Sequence, residues 1–90
     1  MNAANGQTWC IARSSASEAD LLNNINYVCG NLKHTSCGDV IGEGGFCFNP
    51  NTLYNHASIL MDVYYVENGR NPWACDFRGT ALVAVTDPSN

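Results

Sequence analysis

Apolar residues recur at helical spacing in two stretches of this chain. Leu21, Leu22, Ile25, Val28 and Cys29 form one stripe, which predicts a helix from about Glu18 to Cys29. Ser17 and Asp20 stand in the spacing of a capping box at its start, and Gly30 supplies the stop. Leu53, Ala57, Leu60, Met61 and Tyr64 form the second stripe, predicting a helix that runs to about Glu67. Asn51 or Thr52 can cap it, Asn68 and Gly69 end it, and Pro72 prevents its continuation. Two shorter apolar runs, Thr8 to Ala12 and Thr80 to Thr86, read as strands that can pair with each other. Residues 31 to 50 hold Gly38, Gly42, Gly44, Gly45 and Pro50 and read as irregular. Residues 1 to 7 are polar and read as a loose segment ahead of one domain spanning 8 to 90. The pattern predicts an α+β domain with two main helices and a small antiparallel sheet.

Cysteine changes this picture. The chain has five in 90 residues, at positions 10, 29, 37, 47 and 75. A chain this short builds a modest core, and disulfides are its usual staple. Such density points to a secreted or extracellular, oxidising location. The odd count leaves one thiol without an internal partner: a bridge between chains, a free cysteine, or a partner outside this sequence. Spacing alone leaves roughly fifteen pairings open. Zinc sites favour close pairs separated by two residues, whereas Cys29 and Cys37 are the nearest pair and lie farther apart. No metal site, cofactor or nucleophilic cysteine is expected.

Charge narrows the partners. The formal net charge is -4, with only four Lys and Arg residues, so no basic patch exists to neutralise phosphates. Nucleic-acid binding and attraction to anionic lipid are disfavoured. No apolar run approaches the roughly 20 residues of a membrane span, so direct membrane insertion is not expected. The segment before Cys10 lacks the basic start and apolar core of a signal peptide, and Met1 reads as the start of a mature domain. No apolar tail of a lipid anchor closes the chain. A monomer is expected.

Five segments carry a family resemblance: TWCIA at 8 to 12, INYVCG at 25 to 30, GGFCFNPNT at 44 to 52, HASILMDVYY at 56 to 65 and GRNPWACDFRGTALV at 69 to 83. Together they resemble the plant X-eight domain, also called carbohydrate-binding module family forty-three. The resemblance runs from Thr8 to Ser89, with cysteines, glycines and aromatics in matching order. It implies binding of β-1,3-glucan, the polymer of callose, without catalysis. It also implies a plant cell-wall setting, either as a glucanase tail or within a lipid-anchored wall protein, some of which concentrate at plasmodesmata. The family pattern has six cysteines. It implies bridges Cys10–Cys75 and Cys29–Cys37, and pairs Cys47 with a cysteine that would fall just past Asn90. Cys47 is then the unpaired thiol of this sequence.

Glucan recognition needs exposed aromatic faces for the C–H face of a sugar and polar groups for its hydroxyl rim. Tyr64 and Tyr65 are neighbours on the second helix and point about 100° apart. Tyr64 continues the apolar stripe, which leaves Tyr65 as the surface candidate. Trp73 sits in a polar loop, where an aromatic outside any periodic pattern suggests a binding role or a lid over a bridge. Tyr54 lies off the stripe. Asn49, Asn51, Asp62, Arg70 and Asn71 gather around the second helix and its ends. Arg70 has a planar fork suited to paired hydroxyls, or to an ion pair with Asp62, Glu67 or Asp76. Trp9, Phe46, Phe48 and Phe77 flank cysteines closely enough to be packing residues. Asp39 and Glu43 could imitate a hydrolase pair, but a Gly-rich loop gives no basis for their separation. Two readings therefore stand: a non-catalytic β-1,3-glucan-binding module, and a structural or protein-interaction module of a wall protein with little sugar affinity.

Overall fold

The computed structural model describes residues 7–41 and 52–85. Asn49, Asn51, Cys47, Phe46, Phe48 and Glu43 lie outside them, as does the predicted loose segment except Gln7. In chain order the elements are β1 (Trp9–Ala12), α1 (Glu18–Cys29), α2 (Cys37–Ile41), α3 (Leu53–Glu67), two 3-10 turns (Pro72–Cys75 and Phe77–Gly79) and β2 (Ala81–Ala84). The α+β class, both main helices and the antiparallel β1–β2 pair agree with the sequence pattern. The short helix α2, inside the stretch read as irregular, does not. Its five residues carry no periodic apolar stripe, and it buries only Val40.

Local signals set the helix ends. The Ser17 hydroxyl accepts from the Asp20 N–H, and the Asp20 carboxylate accepts from the Ser17 N–H. Thr52 caps α3 by accepting from the Asn55 N–H. Asn68, then Gly69 at φ 76, turn the chain out of α3. On α1 the inner line is Leu21, Asn24 and Val28, while Leu22 is 51 % exposed. Leu22 lies one step of 100° from Leu21, which carries it off the buried face.

Helix α3 is buried over a wider arc than its stripe predicts. Ala57, Leu60 and Met61 form the core against α1 with Leu21 and Val28. A second line on α3, made of Tyr54, Ser58, Asp62 and Tyr65, faces β1. The Tyr65 hydroxyl pairs with the Thr8 hydroxyl at 2.7 Å. Asp62 accepts from the Cys10 N–H at 2.8 Å, and Ser58 from the Ala12 N–H at 2.9 Å. Tyr54 donates to the Ala12 carbonyl at 2.7 Å. In a two-stranded sheet each strand has one edge without a β partner, and its polar groups must be satisfied elsewhere. Here side chains of α3 satisfy that edge of β1.

This arrangement yields a stability prediction. Asp62→Ala should lower unfolding free energy by about 1.5–3 kcal/mol, the range for a hydrogen bond to a charged group. Chemical denaturation measures it. A loss no larger than that of an exposed surface substitution would show that the clasp on β1 is unimportant.

Both described bridges match the pairing that the resemblance implies. Cys10–Cys75 joins β1 to the end of the first 3-10 turn, and Cys29–Cys37 joins the end of α1 to the start of α2. Among the described residues no helix is long and apolar enough to cross a membrane.

Candidate functional site

One face of the domain holds a cavity of about 530 Å³ between α1, α3 and the two 3-10 turns. Helix α1 contributes Asp20, Asn23, Asn24 and Tyr27, spaced so that they line one side. Tyr64 comes from α3, Trp73 and Ala74 from the first turn, and Phe77, Arg78 and Thr80 from the segment after Cys75. The volume falls within the roughly 300–1,000 Å³ of ordinary ligand clefts.

The aromatic wall is a cluster. Tyr27, Tyr64 and Phe77 meet edge to face, with ring centroids 5.6, 6.4 and 5.8 Å apart. The Tyr27 and Tyr64 hydroxyls lie 3.2 Å apart in a hydrogen bond. That bond, followed by burial and the Tyr27 charge, pushes the Tyr64 phenol up to about 12. Tyr64 therefore keeps its proton well above neutral pH. Trp73 stands at the rim, 63 % exposed, and Tyr27 is 52 % exposed. The polar side of the groove is set by Asn24, which donates to the Thr80 hydroxyl at 2.9 Å.

The structure redistributes the candidates named from sequence. Trp73 lines the groove. Tyr65, expected at the surface, is only 2 % exposed, because its place on α3 faces β1 rather than solvent. Tyr54 and Asp62 belong to the same clasp on β1. The Arg70 guanidinium donates to the Thr8 carbonyl, which commits it to the segment entering β1 rather than to the groove. Asn71 braces the end of α3 by donating to the Asn68 carbonyl at 2.8 Å. Asn49 and Asn51 lie outside the described residues.

Trp73 apart, the described groove residues were not among the binding candidates read from sequence, Tyr27, Tyr64, Asp20, Asn23, Asn24 and Arg78 among them. A signal for part of the set exists. Asp20, Asn23 and Tyr27 fall at i, i+3 and i+7 on α1, a polar and aromatic stripe beside the apolar one. Arg78 has no such signal, because the conformation of its turn places it.

Glu67 lies apart from the groove and ties the end of α3 to the segment after α1. Its carboxylate accepts from the Lys33 N–H at 2.6 Å and the His34 N–H at 2.9 Å. Desolvation pushes its pKa up, but these two bonds and the charges of His34 and Lys33 outweigh it and hold the pKa below the ordinary value. A depressed carboxylate pKa adds stability above the unfolded-state value, and that stability disappears as pH falls through the folded value. Melting temperature should therefore drop on acidification through the carboxylate range, and E67Q should flatten part of that drop. Parallel melts of the two proteins from neutral to acid pH check this, and identical slopes would contradict it.

The scaffold is a small disulfide-stapled α+β domain, with a groove walled by aromatics and edged by amides. The X8 domain family model matches residues 8–82, and the chain belongs to that family. It is 49% identical over 84 residues to a glucan endo-1,3-beta-glucosidase of Triticum aestivum, covering 93% of this chain and 17% of the wheat protein. It is 44% identical over 82 residues to the major pollen allergen Ole e 10 of Olea europaea, covering 91% of this chain and 65% of the olive protein. It is also 39% identical over 72 residues to plasmodesmata callose-binding protein 3 of Arabidopsis thaliana, covering 80% of this chain and 38% of that protein. The chain thus spans less than two thirds of the length of each of these relatives. No solved structure matches it significantly.

Proposed function

We propose that this domain is a non-catalytic module that binds β-1,3-glucan in the plant cell wall through the Trp73 groove. The observation that carries the reading is the groove itself: an exposed indole beside three edge-to-face rings, with amide and hydroxyl groups along one side. Such a surface suits a sugar, whose apolar face can lie on a ring while its hydroxyls meet polar tips. Membership of the X8 family and the likeness to a callose-binding protein and to endo-1,3-glucosidases support the choice of polymer.

Catalysis is not part of the proposal. Glycoside hydrolysis ordinarily takes two carboxyl groups flanking the bond, and Asp20 is the one carboxylate among the described groove residues. Its side chain also caps α1. The wheat glucosidase is far longer than this chain, which leaves room for its chemistry outside the matching segment. The two bridges fit an oxidising extracellular setting. A wall or plasmodesmal location, within a glucanase or a lipid-anchored protein, is proposed by the same analogy.

Retention of the disulfide-intact domain on insoluble β-1,3-glucan, with cellulose as control, tests the proposal. Binding should change little between low and high salt, because the polymer is neutral. Absence of retention would leave the alternative, a structural or protein-interaction module.

A further inference from the structure

Arg78 is one of four cationic residues in the chain, and it lines the groove. Arg70 has its guanidinium on the Thr8 carbonyl. Among the described residues, no hydrogen bond or ion pair engages the Arg78 guanidinium. The backbone that carries it is unusual. Phe77, Arg78 and Gly79 have φ of 45°, 57° and 78°, three successive left-handed residues of which two carry a Cβ. Side-chain-bearing residues adopt that region at a cost and persist there when the surroundings fix them.

The surroundings do fix them. The Gly79 N–H donates to the Asp76 carbonyl at 2.8 Å. The Thr80 hydroxyl donates to the Phe77 carbonyl at 2.5 Å and accepts from Asn24 at 2.9 Å. Phe77 is held edge to face against Tyr27 and Tyr64. The turn is thereby tied to both main helices, and it carries an uncommitted guanidinium at the groove.

We propose that Arg78 is a specificity-determining ligand contact, its planar fork donating to two neighbouring hydroxyls of one glucosyl residue beside Trp73. The inference rests on the glucan reading of the groove. A guanidinium presents paired donors in a fixed plane, which an ammonium on a flexible stem does not.

Titration of isotope-labelled protein with laminarihexaose tests it. The Arg78 guanidinium resonances should shift on saturation while those of Arg70 stay in place. Arg78→Asn keeps a residue tolerant of the left-handed region and removes the fork. It should bind about tenfold or more weakly, in keeping with a lost hydrogen bond to a charged group, with no fall in melting temperature. Arg78→Lys should recover only part of the affinity. An unmoved Arg78 guanidinium at saturation, or parental affinity in Arg78→Asn, would overturn the assignment, and full recovery by lysine would overturn the fork. Trp73→Ala separates the two levels. If it weakens binding while Arg78→Asn does not, the groove stands and the role of Arg78 falls. If both bind as the parent does, the groove reading falls with it.

Discussion

Removing the Cys10–Cys75 bridge, as the C10A/C75A double variant, is expected to cost about 4 kcal/mol of stability. The residues are 65 apart in sequence, so the bridge removes much of the freedom of the unfolded chain. The native state also depends on it. Cys10 is fully buried in β1, and Cys75 ends the turn that presents Trp73. A small domain has a net stability of only about 5–15 kcal/mol, so this loss takes a large share. The Cys29–Cys37 bridge spans only 8 positions, and C29A/C37A should cost about 2.5 kcal/mol. Urea denaturation of the two variants beside the parent gives the comparison. Equal costs would mean that loop closure does not govern stability in this domain. The first variant should also lose glucan retention sooner on warming, since its groove wall is tethered through Cys75.

Trp73→Ala should lower affinity for β-1,3-glucan by about 1–3 kcal/mol, by analogy with stacking of nucleic-acid bases on aromatic side chains. That corresponds to roughly five- to 150-fold. The fold should survive, because the indole is mostly exposed and no core contact depends on it. Tyr65→Phe provides the contrast. It keeps the buried ring and removes the hydroxyl that pairs with Thr8, so stability should fall by about 1 kcal/mol while affinity holds. Quantitative depletion from solution by insoluble glucan, alongside thermal melts, separates the effects. Unchanged binding by Trp73→Ala together with weakened binding by Tyr65→Phe would move the site to the other side of α3.

Much of the fold was written in local patterns. The boundaries of α1 follow from Ser17, Asp20 and Gly30, and those of α3 from Thr52 and Asn68. Capping and periodicity act over a few residues, so they can be read one segment at a time. The two strands were legible for the same reason, although the structure trims each of them. The bridges were not readable from spacing. They followed from the family resemblance, and the geometry agrees with it.

The placement of the site was decided by contacts between segments. Sequence favoured Tyr65 because it lies off the stripe of Leu60, Met61 and Tyr64, and a residue off the stripe ordinarily meets solvent. Packing β1 alongside α3 created a second buried face, which took Tyr65 together with Ser58 and Asp62. Arg70 is engaged by a backbone carbonyl 62 positions earlier. Tyr27 and Tyr64, from two helices, became one aromatic surface only when Phe77 arrived from a left-handed turn. The helices, the strand pair and the family were therefore legible residue by residue along the chain. Which polar and aromatic side chains hold β1 and which face the groove depended on the packing of distant segments, and no local pattern encodes that.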